Sequence, residues 1–318
     1  MPQTFRELIA DNKRNSVLLV VVFCLFVTLV AMVLGLGLLA YSGANLSRLS
    51  WIEGLGVGVA AGVISLLLSL VGYYAGNDMI LAVSGAQPIR HDDDPELFNV
   101  VEEMAIAAGI PMPRVYLIHD SAPNAMATGR DPQHAVVAIT TGLRSKLTRD
   151  ELQGVIAHEV SHIRNYDIRL MLLMAVLVGS VVMLCDFFWQ MLRWGPSGGR
   201  KSSKDGGGGV IFLIILVVAV VLAILAPLLA QLIQFAVSRQ REYLADASAV
   251  ELTRYPQGLA NALRKIDADP ADLQSANRGT AHLYIANPIK KFEARAHTPF
   301  ASHPPIQDRI RRLEALVH

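Results

Sequence analysis

Ala157-His158-Glu159-Val160-Ser161-His162 reads H-E-x-x-H. Residues four apart stand one above the other on the same face of a helix. His158 and His162 can therefore offer two imidazole nitrogens to one ion, with Glu159 one step round the helix. Neutral imidazoles suit Zn²⁺, and two nitrogens with one carboxylate leave a coordination position open. A cation there brings the pKa of water down toward about 7, and a carboxylate such as Glu159 can take the proton as the water attacks a carbonyl. The same residues also fit a solvent-facing helix that carries two His and a Glu by chance, so the surroundings decide. Thr148-x-x-Glu151 is a capping box just upstream and predicts a helix from Arg149. Leu152, Val155, Ile156, Val160 and Ile163 supply its apolar face.

Beyond this stretch the chain is very apolar. Of its 318 residues, 53% are hydrophobic and 17% charged, with a mean hydropathy of +0.40. An ordinary soluble domain carries more charge than this. A net charge of +1 and the lack of a basic stripe argue against a nucleic-acid partner. Cys24 and Cys185 lie inside apolar runs and read as small hydrophobes rather than a disulfide or a thiolate metal site.

The apolar residues are gathered into segments of membrane-spanning length. Val17 to Ala40 is about 24 residues without a charge, enough to cross a ~30 Å hydrocarbon core. Gly54 to Ala75, Leu170 to Leu192 (interrupted by Asp186) and Val210 to Val237 (with Pro227 inside) complete four predicted spans. A cleavable signal peptide has a shorter apolar run than the first of these. The expected organisation is an N-terminal segment and hairpin over 1–75, and the first part of a metal-site domain over 76–167. A second hairpin follows over 168–237, with a Gly-rich loop at 195–209, and then the rest of the domain over 238–318.

Within the polar region, Asp94-Pro95 predicts a helix through Ala108, stopped by Gly109 and Pro111. Arg114 to His119, Asn124 to Thr128 and Ala135 to Thr141 alternate like strands, with a turn at Gly129 to Pro132, and suggest a small antiparallel meander. Zinc proteases commonly lay substrate along an exposed strand edge beside the metal, where main-chain hydrogen bonds supply affinity. Pro256 to Ile266 and Pro304 to Leu316 read as helices, and Asp267 to Pro299 is left without assignment.

A catalytic metal needs a third ligand, and Glu242 is the best candidate, on the helix leaving the fourth span. If the third and fourth spans both cross, Glu242 returns to the side of His162; a single crossing would part them by ~30 Å. Asp246, one turn beyond, is placed to accept the second N–H of a metal-bound His and fix its tautomer. Both residues also fit a solvated helix face. Flanking Lys and Arg (Arg6, Lys13, Arg14, Arg90, Arg164, Arg169, Arg239 and Arg241 on the metal side) favour a cytoplasmic metal domain, although Arg48, Arg193, Arg200, Lys201 and Lys204 weaken the bias.

Taken together, these motifs resemble the HtpX-type membrane zinc endopeptidases, a group related to the CAAX prenyl-protein endopeptidases. The resemblance rests on Pro123-Asn124-Ala125-Met126-Ala127, His158-Glu159-x-x-His162, Ser238-Arg239-x-Arg241-Glu242-Tyr243-x-Ala245-Asp246, and Ser302-His303-Pro304-Pro305 with Arg309. It implies a mainly α membrane protein of four transmembrane helices with a zincin-like α+β cytoplasmic domain. One Zn²⁺ per chain would be held by His158, His162 and Glu242, with Asp246 behind the ligands. It also implies that Asn124, Ala125 and Met126 form the substrate-binding edge strand, and that His303 and Arg309 face the substrate across the metal. The residue types alone say less: a His before Pro-Pro is usually a helix-start residue, and an Arg in a C-terminal helix is usually solvated. His303 is the expected oxyanion donor beside the catalytic Glu159, and Arg309 the expected grip on peptide backbone. Tyr243 can also donate, although packing suits it better. Met126 stands where the group commonly has an aromatic residue, and the Gly-rich loop is unusually long.

The expected activity is hydrolysis of peptide bonds in misfolded or damaged membrane proteins. The expected setting is a bacterial-type inner membrane with both termini cytoplasmic, and the partners are protein substrates and the lipid bilayer. Two rivals stand beside it: a prenyl-peptidase-like enzyme with a dedicated substrate, and a non-catalytic, zinc-stabilised membrane chaperone or scaffold. A purely structural zinc usually has four protein ligands, which disfavours the second.

Overall fold

The structure, a computed structural model, describes residues 5–41, 51–194, 208–274, 280–288 and 303–316. Most of the Gly-rich loop predicted over 195–209, parts of the unassigned 267–299 stretch, and Ser302 lie outside the described residues. The order is α1 (Phe5–Tyr41), α2 (Trp51–Val83), β1 (Ala86–Pro88), α3 (Pro95–Ala108), β2 (Arg114–Ile118), β3 (Ala125–Thr128) and β4 (Val136–Thr140). It continues with α4 (Thr141–Lys146), α5 (Arg149–Arg164), α6 (Asp167–Trp194), α7 (Gly208–Thr253), α8 (Pro256–Ala268) and α9 (Ile306–Glu314). The chain divides into two units, one of 1–16, 72–175 and 233–318, the other of 17–71 and 176–232.

The first unit is built around α5. Thr148 caps it as expected: its hydroxyl accepts from Glu151 N, and the Glu151 carboxylate accepts from Thr148 N. Leu152, Val155, Ile156, Val160 and Ile163 are all fully buried in one core with α3 and α8. Truncating such a side chain, as in Ile156→Ala, costs about 2–5 kcal/mol. Glycines let α8 approach: a Cβ on Gly154 would lie 2.5 Å from Leu259 N, and one on Gly258 would lie 2.6 Å from Asp150 O. α3 starts on the Asp94 cap and ends at left-handed Gly109, as its sequence signals require.

The sheet corrects the predicted antiparallel meander. Its order is β1-β2-β4-β3, with β2 and β4 parallel and the β1–β2 and β3–β4 pairs antiparallel. The cause is the loop between β2 and β3. Asp120 O accepts from Gly142 N and from Thr141 Oγ1, while Thr140 Oγ1 donates to Ala122 O and accepts from Asn124 N. These bonds carry the chain across the end of β4 before β3 begins, so β3 joins the far side of β4 instead of pairing with β2. Pro123, without an N–H, cannot extend the ladder there.

The second unit is apolar on its outside as well as its inside. Its interior holds Ala219, Ala223, Ala226 and Ala230 of α7 with Val30, Leu34 and Phe188, and a Cβ on Gly37 would lie 2.6 Å from the Ala219 Cβ. Its outside carries Leu25, Leu29, Leu66, Leu67, Met183, Phe187, Leu213 and Val217, all exposed. Water does not tolerate so continuous an apolar surface, whereas the small-residue face of α7 inside and large apolar residues outside suit helices packed in lipid. Among the described residues two helical stretches are long and apolar enough to cross a membrane, Gly62–Val83 and Asp167–Arg193; α1 and α7 carry the shorter apolar stretches Cys24–Gly37 and Leu216–Ala230.

Candidate active site

His158 and His162 stand on the buried face of α5, and Glu242 reaches them from α7. His158 Nε2 is 3.2 Å from His162 Nε2. Glu242 Oε2 lies 3.5 Å from His158 Nε2, and Glu242 Oε1 lies 3.4 Å from His162 Nε2. A tetrahedral ion with bonds of about 2.0–2.1 Å has ligand atoms about 3.3 Å apart along each edge. The two imidazole nitrogens meet that spacing, each faces one oxygen of the Glu242 carboxylate, and one ligating atom from each of the three residues lies within 4.8 Å of the others.

Each histidine is held from behind. His158 Nδ1 lies 3.0 Å from Asp246 Oδ1, and Asp246 takes a two-pronged grip from Arg309, Nε to Oδ2 at 2.9 Å and Nη2 to Oδ1 at 2.7 Å. His162 Nδ1 lies 3.1 Å from Asp167 Oδ2, and Asp167 is paired in turn with Arg241. The Nδ1 contacts leave Nε2 of both rings turned toward Glu242. Asp167 was not foreseen from the sequence. It begins α6 just after Tyr166, whose left-handed backbone (φ 61°) turns the chain back toward His162. The available signal was an acidic residue five positions after the second histidine, next to a predicted helix boundary.

The electrostatics favour a cation. Glu159, Asp167, Glu242 and Asp246 are buried with Arg241 and Arg309. With both imidazoles neutral, four carboxylates against two guanidiniums leave two negative charges, which a divalent ion or two ring protons would neutralise. Burial opposes a charged imidazole, yet Asp167 and Glu242 push His162 up to about 10, and Asp246 and Glu242 raise His158 as well. Burial would also raise Glu242, but the Arg309 charge and the neighbouring histidines hold it well below the usual carboxylate range. Metal binding replaces ring protons, so a site that attracts protons this strongly also attracts a cation. Glu159 differs: burial raises its carboxyl above the ordinary value, and its Oε1 has no hydrogen-bond partner among the described residues. A raised, unengaged carboxylate is suited to exchanging a proton with a reacting group.

Asn124, Ala125, Met126, His303 and Arg309 are all buried, and Tyr243 is half-buried. Arg309 is fully buried rather than solvated; its Nη1 lies 3.1 Å from Glu242 Oε2 and donates to Ile285 O at 2.6 Å. His303 Nδ1 is 3.6 Å from Glu242 Oε2, and its Nε2 is 3.2 Å from Ala281 O. Asn124, just before β3, and Ala125 and Met126 on it are buried against residues 284–286, and not on an exposed edge. Tyr243 packs under the Arg312 guanidinium at 3.7 Å.

The family model described as Peptidase family M48 matches residues 91–317. Relatives similar over almost the whole length include the Protease HtpX homolog of Lactiplantibacillus plantarum, 44% identical over 97% of this chain and 98% of its own. The Protease HtpX homolog of Listeria monocytogenes serotype 4b is 45% identical over 97% and 98% of the two chains. That of Dictyoglomus turgidum is 43% identical over 99% and 96%. Among solved structures, Ste24p of S. mikatae is similar at a TM-score of 0.47 and 22% identity, over 89% of this chain and 62% of that one. The family match takes in every residue from β2 to α9 that surrounds the two histidines, and the relatives extend it through the apolar helices: the chain belongs to peptidase family M48 and is a membrane metalloprotease.

Proposed function

We propose a zinc-dependent endopeptidase whose protease domain, assembled from 76–167 and 238–318, is cytoplasmic and held in a bacterial-type inner membrane by four spans. The observation that carries the proposal is the convergence of His158, His162 and Glu242, with one ligating atom from each within 4.8 Å of the others, beside the unengaged Glu159. A zinc ion there supplies a Lewis acid that polarises the peptide carbonyl and makes water acidic. Glu159 takes the proton from the attacking water and delivers it to the leaving amine. Asp246 and Asp167 keep the Nδ1 protons of the histidines in place, so that both rings present Nε2. His303 donates to the oxyanion of the tetrahedral intermediate, and Arg309 holds substrate backbone. The substrate lies as an added strand along Asn124, Ala125 and Met126, where main-chain bonds supply affinity with little regard to side chain. Such sequence-tolerant binding suits misfolded or damaged membrane proteins.

A test is digestion of several unprenylated membrane proteins and of unfolded β-casein by detergent-purified protein, before and after chelation. Cleavage that stops on chelation and returns with zinc is the expected result. A zinc-loaded protein that leaves the whole panel intact would point to a dedicated substrate, and one that unfolds on chelation and never cuts would point to a scaffold.

A further inference from the structure

β3 is the last strand of its sheet, so its outer edge carries main-chain groups with no partner inside the sheet. That edge is filled by the chain itself. Tyr284 pairs antiparallel with Met126, and Ile285 N donates to Ala125 O at 2.8 Å. The Asn124 carboxamide meets Ala286 in both directions, Nδ2 donating to Ala286 O at 3.1 Å and Oδ1 accepting from Ala286 N at 3.4 Å. Arg309 Nη1 donates to Ile285 O at 2.6 Å, and His303 Nε2 lies 3.2 Å from Ala281 O.

These contacts share one property: all engage main-chain atoms of residues 281–286. They come from Asn124, Ala125, Met126, His303 and Arg309, the residues that the proposed function assigns to substrate. Main-chain contacts of this kind accept any extended peptide, the chain's own included. Side chains anchor the segment separately. Tyr284 Oη donates to Ser84 Oγ at 3.2 Å, and His282 Nε2 lies 3.0 Å from Met171 O. Neither anchor uses a group that substrate would need.

We infer that residues 281–286 are an internal plug on the substrate edge, and that they must leave β3 before a substrate strand can pair there. The described arrangement is then the resting form. The inference rests on β3 being the substrate edge, and substrate affinity is lowered by the fraction of molecules in which the plug is seated.

One experiment reads the plug directly by hydrogen exchange, in the zinc-loaded, non-cleaving Glu159→Gln protein with and without unfolded β-casein. The Ile285 and Ala286 amides should exchange at least about tenfold faster when β-casein is present. Unchanged exchange while β-casein is bound overturns the plug. A second experiment locks it with Met126→Cys and Tyr284→Cys in a Cys24→Ser, Cys185→Ser background, each protein first checked for zinc content and melting temperature. Oxidation should cut β-casein cleavage at least about tenfold, with full recovery in reductant and no effect on either single cysteine. Where the reduced double variant fails these checks, Ile285→Pro replaces it. This change removes the N–H given to Ala125, follows a Tyr284 backbone (φ −87°, ψ 154°) that tolerates a following proline, and should raise basal cleavage. A wild-type protein that cuts while the oxidised lock cuts equally fast overturns the plug alone. A zinc-loaded wild type that cuts nothing overturns both the plug and the proteolytic reading.

Discussion

The two sides of the metal site hold their histidines with the same device, built from different parts of the chain. On one side Arg309 grips Asp246, which meets His158 Nδ1. On the other Arg241 grips Asp167, which meets His162 Nδ1. The arms differ in what else they touch. Arg309 also reaches the main chain of residue 285 and the Glu242 carboxylate, so its arm ties the His158 ring to the segment beside β3. The Asp167 arm sits at the start of α6 and joins the metal to the helix that runs on into the apolar unit. One arm thus ends on main chain beside β3 and the other at the start of α6, while both fix a ring.

Glu159 belongs to neither arm, so its replacement should separate chemistry from metal holding most sharply. Glu159→Gln should keep zinc and lose turnover by about 10²–10⁴-fold or more, measured as kcat on β-casein with zinc content in parallel. Next in size is Arg241→Met, which strands the buried Asp167 charge. A loss of about 3–5 kcal/mol is expected in denaturant unfolding in detergent, with much of it regained when Asp167→Leu is added. A variant as stable as the parent would remove Arg241 from that arm.

The symmetry itself is tested by Asp167→Asn against Asp246→Asn. Each should weaken zinc about 10–100-fold in a competing-chelator titration, and by similar factors. A large loss in one and none in the other would show that only one arm works as described. The smallest effect lies away from the metal. Burial would raise the Asp94 carboxyl, but its bonds from Arg144 and Leu97 N hold it below its ordinary value. A depressed carboxylate stabilises the fold above its unfolded value and loses that contribution as pH falls through the folded one. Asp94→Asn keeps the cap but loses the Arg144 ion pair, so it should cost at most about 1 kcal/mol at neutral pH, and the gap from wild type should close below about pH 4. A gap that widens in acid would contradict the sign.

The two arms were unequally legible in the sequence. Asp246 follows Glu242 by one helical turn, and helical spacing alone puts it on the ligand's face. Asp167 lies beyond a helix end, and its return depends on the left-handed Tyr166, which no periodicity announces. α3 and α5 were readable because caps, stops and apolar faces coincide in them. The parallel β2–β4 pairing was not, because alternation fixes which face of a strand is buried but not which neighbour it takes; the Thr140 and Thr141 side chains decide that. Residues 280–288 carry no helical or strand period, and their place on β3 is set by partners distant in sequence, Asn124 above all. Arg309 and His303 were visible only through resemblance, since a buried Arg and a solvated Arg look alike in a string of letters.

The most direct test of the account is the zinc stoichiometry of detergent-purified wild type, Glu159→Gln and Glu242→Ala, measured by elemental analysis of the same folded preparations. One zinc per chain in the first two and almost none in the third is the expected result. Full zinc retention by folded Glu242→Ala would contradict a metal shared by two imidazoles of α5 and a carboxylate of α7.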